Sequence, residues 1–249
     1  MKSKTEEVAT QYVHLDIGCG ANKKVGCLGV DIKNYPGVDY QCDVRTDRLP
    51  FSDGSVDYLY SSHCLEHIHA PNHIFKEIAR VCCDGAQVEL WAPYAYHVSA
   101  LYFCHERLLT EEIWRQYCLF YPQFQGVRWN LEALRYVIDK TTADEVKAAG
   151  FSLDFALRHF NNVAREFGVF IRIHKDIRTV PTIPGITYSY ERAGEQIPLP
   201  LFRKTFRAGL PLGVLINDVV QHRVLPHIDT PLYIFGTGAC SEEVMRCLA

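Results

Sequence analysis

An α/β fold built on a mostly parallel sheet is predicted by three observations. Short apolar runs alternate with turn and helix signals as far as about residue 92. The first run, Tyr12-Val13-His14-Leu15-Asp16-Ile17, leads into the glycine turn Gly18-Cys19-Gly20. The second, Leu28-Gly29-Val30-Asp31, ends on an acid. A strand, a glycine turn and a further strand ending on a carboxylate form the ligand-binding edge of an open α/β sheet, whose ligands sit outside the carboxyl ends of the strands.

The elements follow in order. Residues 1–12 read as a polar leader. Between the glycine turn and the second strand only Ala21 to Gly26 remain. At about 3.6 residues per turn, that leaves room for a helix of less than two turns. Val38 to Val44 is a third short strand carrying Asp43, and Ser55 to His63 a fourth. Ile74, Phe75, Ile78, Ala79 and Val81 mark one face of a helix, with Asp84-Gly85 as its C-terminal signal. Ala86 to Trp91 is a fifth strand, followed by Pro93. Residues 106–121 read as a helix that starts with Thr110 before Glu111 and Glu112, and residues 131–149 as another that ends at Gly150. Phe151 to Phe160 and Val169 to His174 read as late strands. Beyond Thr179, prolines from Pro181 to Pro231 punctuate short apolar runs, so residues 179–249 read as an appendage, a lid or a contact between two copies of the chain. Within it Leu232 to Gly238 imitates a nucleotide turn, but too few residues follow to complete a βαβ unit; it reads as a final strand and turn.

Composition narrows the class. Hydrophobic residues make up 48% and charged residues 22%, the balance of a globular core. A net charge of −3 and the lack of any long basic run disfavour nucleic acid as a partner, because phosphate binding needs a concentrated basic surface. Arg158, Arg165, Arg172, Lys175 and Arg178 read as a solvated face, with an anion site as the alternative. No apolar stretch approaches the roughly eighteen residues of a membrane span, and MKSKTEEVAT has no apolar signal region. None of the ten cysteines forms a C-x-x-C pair, and Cys27 and Cys42 fall in strands, where a thiol packs as a small hydrophobe. A reduced, cytoplasmic protein is expected.

The glycine turn separates two ligand classes. A dinucleotide site requires G-x-G-x-x-G, its third glycine allowing close helix packing; here that position is Lys23. Asp31 also comes eleven residues after Gly20, where dinucleotide sites place the acid about twenty residues on. A single G-x-G suffices for an amino-acid-like end.

Read together, LDIGCG, GVDI, CDV, LPF, S-x-D and LEHI, then a helix, a strand and a proline, resemble the class I S-adenosylmethionine (SAM) dependent methyltransferases of the type 11 kind. More narrowly they resemble predicted bacterial methyltransferases associated with surface-polysaccharide genes. The resemblance is good over residues 13–120, moderate to 178 and absent beyond. It implies a Rossmann-like class I sheet over residues 13–178, mostly parallel with a late antiparallel strand, followed by the appendage. It also implies SAM as cofactor: Asp16, Gly18 and Gly20 around the amino and carboxylate groups, Asp31 on the ribose, Asp43 and the Val44 backbone at the adenine, and Ser61 and Ser62 under the sulfonium.

Methyl transfer from a sulfonium is an in-line displacement, and aligning the partners alone supplies roughly 7–11 kcal/mol. A base is needed only for a protonated nucleophile. His97, in the loop after the fifth strand, is read as base or substrate anchor, with an ordinary loop histidine as the alternative; His63 is the second catalytic candidate. His67 is taken to order its loop, and His105 to be an ordinary position before a helix. His63, His67, His69 and His73 are spaced in pairs, but Pro71 interrupts them, and no metal is assigned. Tyr94, Tyr96 and Tyr102 wall an aromatic or sugar pocket or belong to the core. The expected acceptor is a small molecule, a hydroxyl of a sugar or natural-product scaffold first and nitrogen second. The rival readings are a SAM-binding partner protein without transfer, and an NAD or nucleotide-sugar oxidoreductase.

Overall fold

Four short strands, β1 (Val13–Ile17), β2 (Leu28–Asp31), β3 (Tyr40–Gln41) and β4 (Val56–Ser62), pair in parallel in the computed structural model, which describes residues 12–120 and 124–199. β5 (Cys82–Pro93) continues parallel to β4. β6 (Arg128–Val137) and β7 (Glu166–His174) are antiparallel to each other, and β7 inserts antiparallel beside β5. β8 (Gly185–Ser189) runs parallel to β6, and β9 (Ile197–Pro198) antiparallel to β8. The sheet order is β3-β2-β1-β4-β5-β7-β6-β8-β9. Chain order reverses direction between β1 and β4, the switch point beside which open α/β sheets bind their ligands.

The core forms where the apolar residues predicted it. Leu15 and Ile17 of β1 and Val56 and Leu59 of β4 are fully buried. α1 (Asn72–Val81) turns Ile74, Phe75, Ile78, Ala79 and Val81 inward, the spacing read from the sequence. Burying each large apolar side chain there contributes about 1.5–3 kcal/mol. α2 (Glu111–Arg115) continues into a wider turn over Gln116–Phe120, and α3 (Lys140–Ala148) and α4 (Leu153–His159) connect β6 to β7.

Several expected elements differ. The segment between Gly20 and β2 holds turns and no helix. α1 stops at Val81, and Gly85 (φ +80°) lies inside β5, where the pairing with β4 shifts between Val56 and Tyr58. The helix expected from residue 106 begins at Glu111. Residues 131–137, expected to open a helix over 131–149, belong instead to β6; only Lys140–Ala148 is helical there. The stretch expected as a strand over 151–160 is α4, opened by the Phe155 N–H donating to Ser152 Oγ at 3.1 Å. β8 and β9 lie past residue 178 yet belong to the same sheet. Residues 1–11 of the leader, residues 200–249 of the appendage with its Leu232–Gly238 turn, and any contact between copies made there lie outside the described residues.

The basic group read as a solvated face is paired with neighbours. Arg158 meets Asp154, Arg165 meets Asp139, Arg172 meets Glu132, Arg178 meets Asp176, and Lys175 Nζ donates to the Ala79 carbonyl. Among the described residues no helix is long and apolar enough to cross a membrane.

Candidate functional site

The carboxyl ends of β1, β2 and β4 bring Asp16, Gly18, Gly20, Asp31, Ser61 and Ser62 to one edge of the sheet. Asp43 and Val44 follow the end of β3 on the same edge. Gly18 and Gly20 both have positive φ, +68° and +54°. A Cβ on Gly18 would lie 2.4 Å from Cys64 Sγ, whereas one on Gly20 would meet nothing within 4 Å. Gly18 is therefore required by packing, and Gly20 by the bend at an open position.

The two buried acids are held by backbone. Asp31 Oδ2 accepts the Gly20 N–H at 2.9 Å and Oδ1 the Lys33 N–H at 2.9 Å, which leaves each oxygen acceptor capacity for a diol. Asp16, 2% exposed, accepts the Lys24 N–H on Oδ2 at 2.8 Å. Burial raises its pKa above the ordinary aspartate value, opposed by the Lys24 bond and the Lys24 charge. Ser61 Oγ donates to the Ile17 carbonyl at 2.8 Å and so locks β4 to the end of β1. Asp43 is the exception: its carboxylate is gripped by the Arg45 guanidinium at 2.8 and 2.7 Å, which holds its pKa below the usual range.

Ser62 belongs to a charged chain that the sequence did not reveal. Arg192, beyond β8, donates to Ser62 Oγ and Tyr60 Oη at 2.9 Å each, lies over the Trp91 ring and reaches Glu166 Oε2 at 2.6 Å. Glu166 also lies 3.2 Å from His63 Nε2, and His63 Nδ1 lies 3.2 Å from Glu66 Oε1. The partners Glu166 and Glu66 raise the His63 pKa to about 9. Burial pushes Glu166 up, but His63 and Arg192 outweigh it and bring it down to about 2. His63, in the left-handed region at φ +52°, is thus a fixed cation at neutral pH and has no lone pair for a base. Glu66 is buried at 2% exposure, and its Oε2 has no hydrogen-bond partner among the described residues. The signal for Glu166 was an acid opening an apolar strand; Arg192 carried none.

His97 caps the short turn Val98–Leu101. Its Nδ1 accepts the Ser99 N–H at 3.2 Å and lies 2.7 Å from Ser99 Oγ, an arrangement that assigns the ring hydrogen to Nε2. Burial lowers its pKa below the ordinary value, so the ring is neutral at pH 7. Tyr94 is core at 2% exposure and hydrogen-bonded to Glu111, while Tyr96 and Tyr102 are exposed. A cavity of about 220 Å³ lies between α1 and α2, lined by Leu65, Phe75, Leu109, Ile113 and Tyr117, with Arg107 and Gln116 as its polar members.

Comparison with known proteins finds a likeness over this edge. Residues 15–90, from β1 through most of β5, match the type 11 family model described as a methyltransferase domain. Over these residues the chain is similar to that methyltransferase domain. Solved structures similar to it include a SAM-dependent methyltransferase from Archaeoglobus fulgidus (15% identity, 66% of this chain and 87% of that one, TM-score 0.45). Another, from Mesorhizobium loti, shares 14% identity over 65% of this chain and 91% of that one, TM-score 0.43. A Haemonchus contortus phosphoethanolamine N-methyltransferase in complex with SAM shares 16% identity over 66% and 49%, TM-score 0.42.

Methyltransferases of the type 11 kind, which residues 15–90 resemble, take SAM as methyl donor. The residues at the strand edge fit it: two buried carboxylates, a bend open at Gly20, and unused acceptor capacity on Asp31.

Proposed function

We propose that this protein is a SAM-dependent methyltransferase acting on a small-molecule hydroxyl, on a sugar or natural-product scaffold, with His97 orienting the acceptor. The observation that carries the reading is the Gly20–Asp31 bond, which fixes the bend and the ribose-binding carboxylate as one unit. Asp31 then holds a diol, Asp16 faces an ammonium group, and Ser61 keeps β1 and β4 in register beneath them. Asp43 takes the adenine amino group with the Val44 backbone beside it once Arg45 swings off the carboxylate. Ser62, bound to Arg192, sits at the end of β4 beside Ser61. Bound SAM supplies an electrophilic methyl group with a neutral sulfur leaving group.

His97 serves as anchor before base. Its Nε2–H donates to the acceptor oxygen; accepting a proton there requires its own hydrogen to move to Nδ1 and the Ser99 contact to break. His63 supplies fixed positive charge at the end of β4 and holds Glu66 and Glu166 in place. The same reading takes a small molecule as partner, two copies joined through the appendage, and a cytoplasmic location, in keeping with the free cysteines among the described residues.

The test is transfer of label from methyl-labelled SAM to a panel of sugars, nucleotide sugars and hydroxylated aromatic scaffolds. Labelled ether product from one class, absent with Asp31→Ala, supports the reading. Label on nitrogen would correct the acceptor, and cofactor binding with no product on any acceptor would favour a non-catalytic partner protein.

A further inference from the structure

The turn after β4 and the segment after β5 meet at three side chains that the methyl-transfer reading does not use. One ring nitrogen each of His67 and His105, and Cys104 Sγ, lie within 4.8 Å of one another. The two rings meet edge to face, with centroids 4.8 Å apart. In both, Nδ1 faces a backbone carbonyl: His67 that of Cys104 at 2.8 Å, His105 that of Ala100 at 3.3 Å. A carbonyl can only accept, so these contacts assign the ring hydrogens to Nδ1 and leave Nε2 as the basic nitrogen. Metal-binding histidines are held in this way, the non-ligating N–H donated to a carbonyl or carboxylate.

We propose that His67, Cys104 and His105 bind a transition-metal ion of the zinc class. Two imidazoles and a thiolate select zinc-like ions over magnesium or calcium, which take oxygen ligands. A tetrahedral ion with nitrogen at about 2.0–2.1 Å and sulfur at about 2.3 Å keeps its donors about 3.3–3.6 Å apart. The widest of the three separations therefore closes by up to about 1.2–1.5 Å, and exposed Cys104 has the freedom to do so. Water completes the fourth position, and the thiol loses its proton on binding. The ion ties together two segments that backbone already joins, since the Glu106 and Arg107 N–H groups donate to the Glu66 carbonyl at 2.8 and 3.1 Å. It clamps the loop that carries His97 and the cavity wall against the end of β4.

Cobalt binding tests this independently of methyl transfer, because neither SAM nor an acceptor is present. Full-length protein, reduced and stripped with a chelator, is titrated with Co²⁺ and then with Zn²⁺. The expected result is one cobalt per chain with thiolate-to-cobalt charge-transfer and visible d–d bands, bleached by zinc. Cys104→Ser abolishes the charge-transfer band, and His67→Gln or His105→Gln weakens affinity at least about tenfold, with unchanged circular dichroism. No stoichiometric band in the wild type, a band that survives Cys104→Ser, or affinity indifferent to both histidines would overturn the site.

Discussion

The Gly20 N–H donates to Asp31 Oδ2 at 2.9 Å, so the bend after β1 and the last residue of β2 form one rigid unit. The short crossover between them contains no helix. In its place, this bond and the Lys24–Asp16 bond hold the segment over the strand ends.

Asp31→Ala removes both that tie and the acceptor for a diol. Charge-assisted hydrogen bonds contribute about 1.5–3 kcal/mol, so affinity for S-adenosylhomocysteine (SAH) is expected to fall about 10- to 150-fold by calorimetry. Unchanged affinity would remove Asp31 from the cofactor site.

Gly18→Ala is expected to destabilise the fold by about 1–3 kcal/mol, the cost of holding a side chain in an unfavourable backbone region. Its Cβ also collides with Cys64, at 2.6 Å from Cβ as well as 2.4 Å from Sγ. Trimming to Cys64→Ala therefore gives only partial rescue, which urea unfolding of the single and double variants measures.

His63 gives a stability signal with a defined sign. Its pKa rises from 6.5 to about 9 in the fold, so its contribution is full below 6.5 and is lost as pH climbs through 9. The ring is 45% exposed, so solvent screening limits the contribution to about 1 kcal/mol. Glu166 works at the other end: depressed to about 2 from 4.5, its contribution is present above 4.5 and lost as pH falls through 2. His63→Asn, whose side chain tolerates the left-handed backbone, should flatten the decline between pH 6.5 and 9. An identical pH profile for variant and wild type would contradict the cation.

His97→Ala is expected to lower kcat/KM for the acceptor about 10²-fold through lost positioning while SAH affinity holds. Loss of SAH affinity in step with turnover would move His97 out of the acceptor site and into the cofactor cradle.

The parallel half of the sheet was legible because each short strand carries buried apolar residues, Leu15 and Ile17, Val30, and Val56 and Leu59, just before a turn residue or acid at Gly18, Asp31 and Ser62. β6 was not. A bulge between Leu131 and Ala133 spaces its buried Trp129, Leu131, Leu134 and Tyr136 as two, three and two, which hides the alternation of a strand. Its Leu-Glu-Ala-Leu-Arg run also favours a helix locally, and pairing with β7 on one side and β8 on the other overrides that preference. α4 did carry its signal, Ser152 before Leu153, Ala156 and Leu157, although the stretch was read as a strand. The site divides the same way. Asp16, Gly18, Gly20 and Asp31 lie on neighbouring strands and follow from local pattern. Arg192 joins Glu166, and Cys104 joins His67, only across long sequence separations, which no local spacing encodes.

We propose that the strand edge formed by Asp16, Gly20 and Asp31 binds SAM. Calorimetric titration of the full-length protein with SAH, with NAD titrated in parallel, tests it most directly. Micromolar SAH binding with no heat from NAD is the predicted result. NAD binding without SAH binding, or neither, would contradict it.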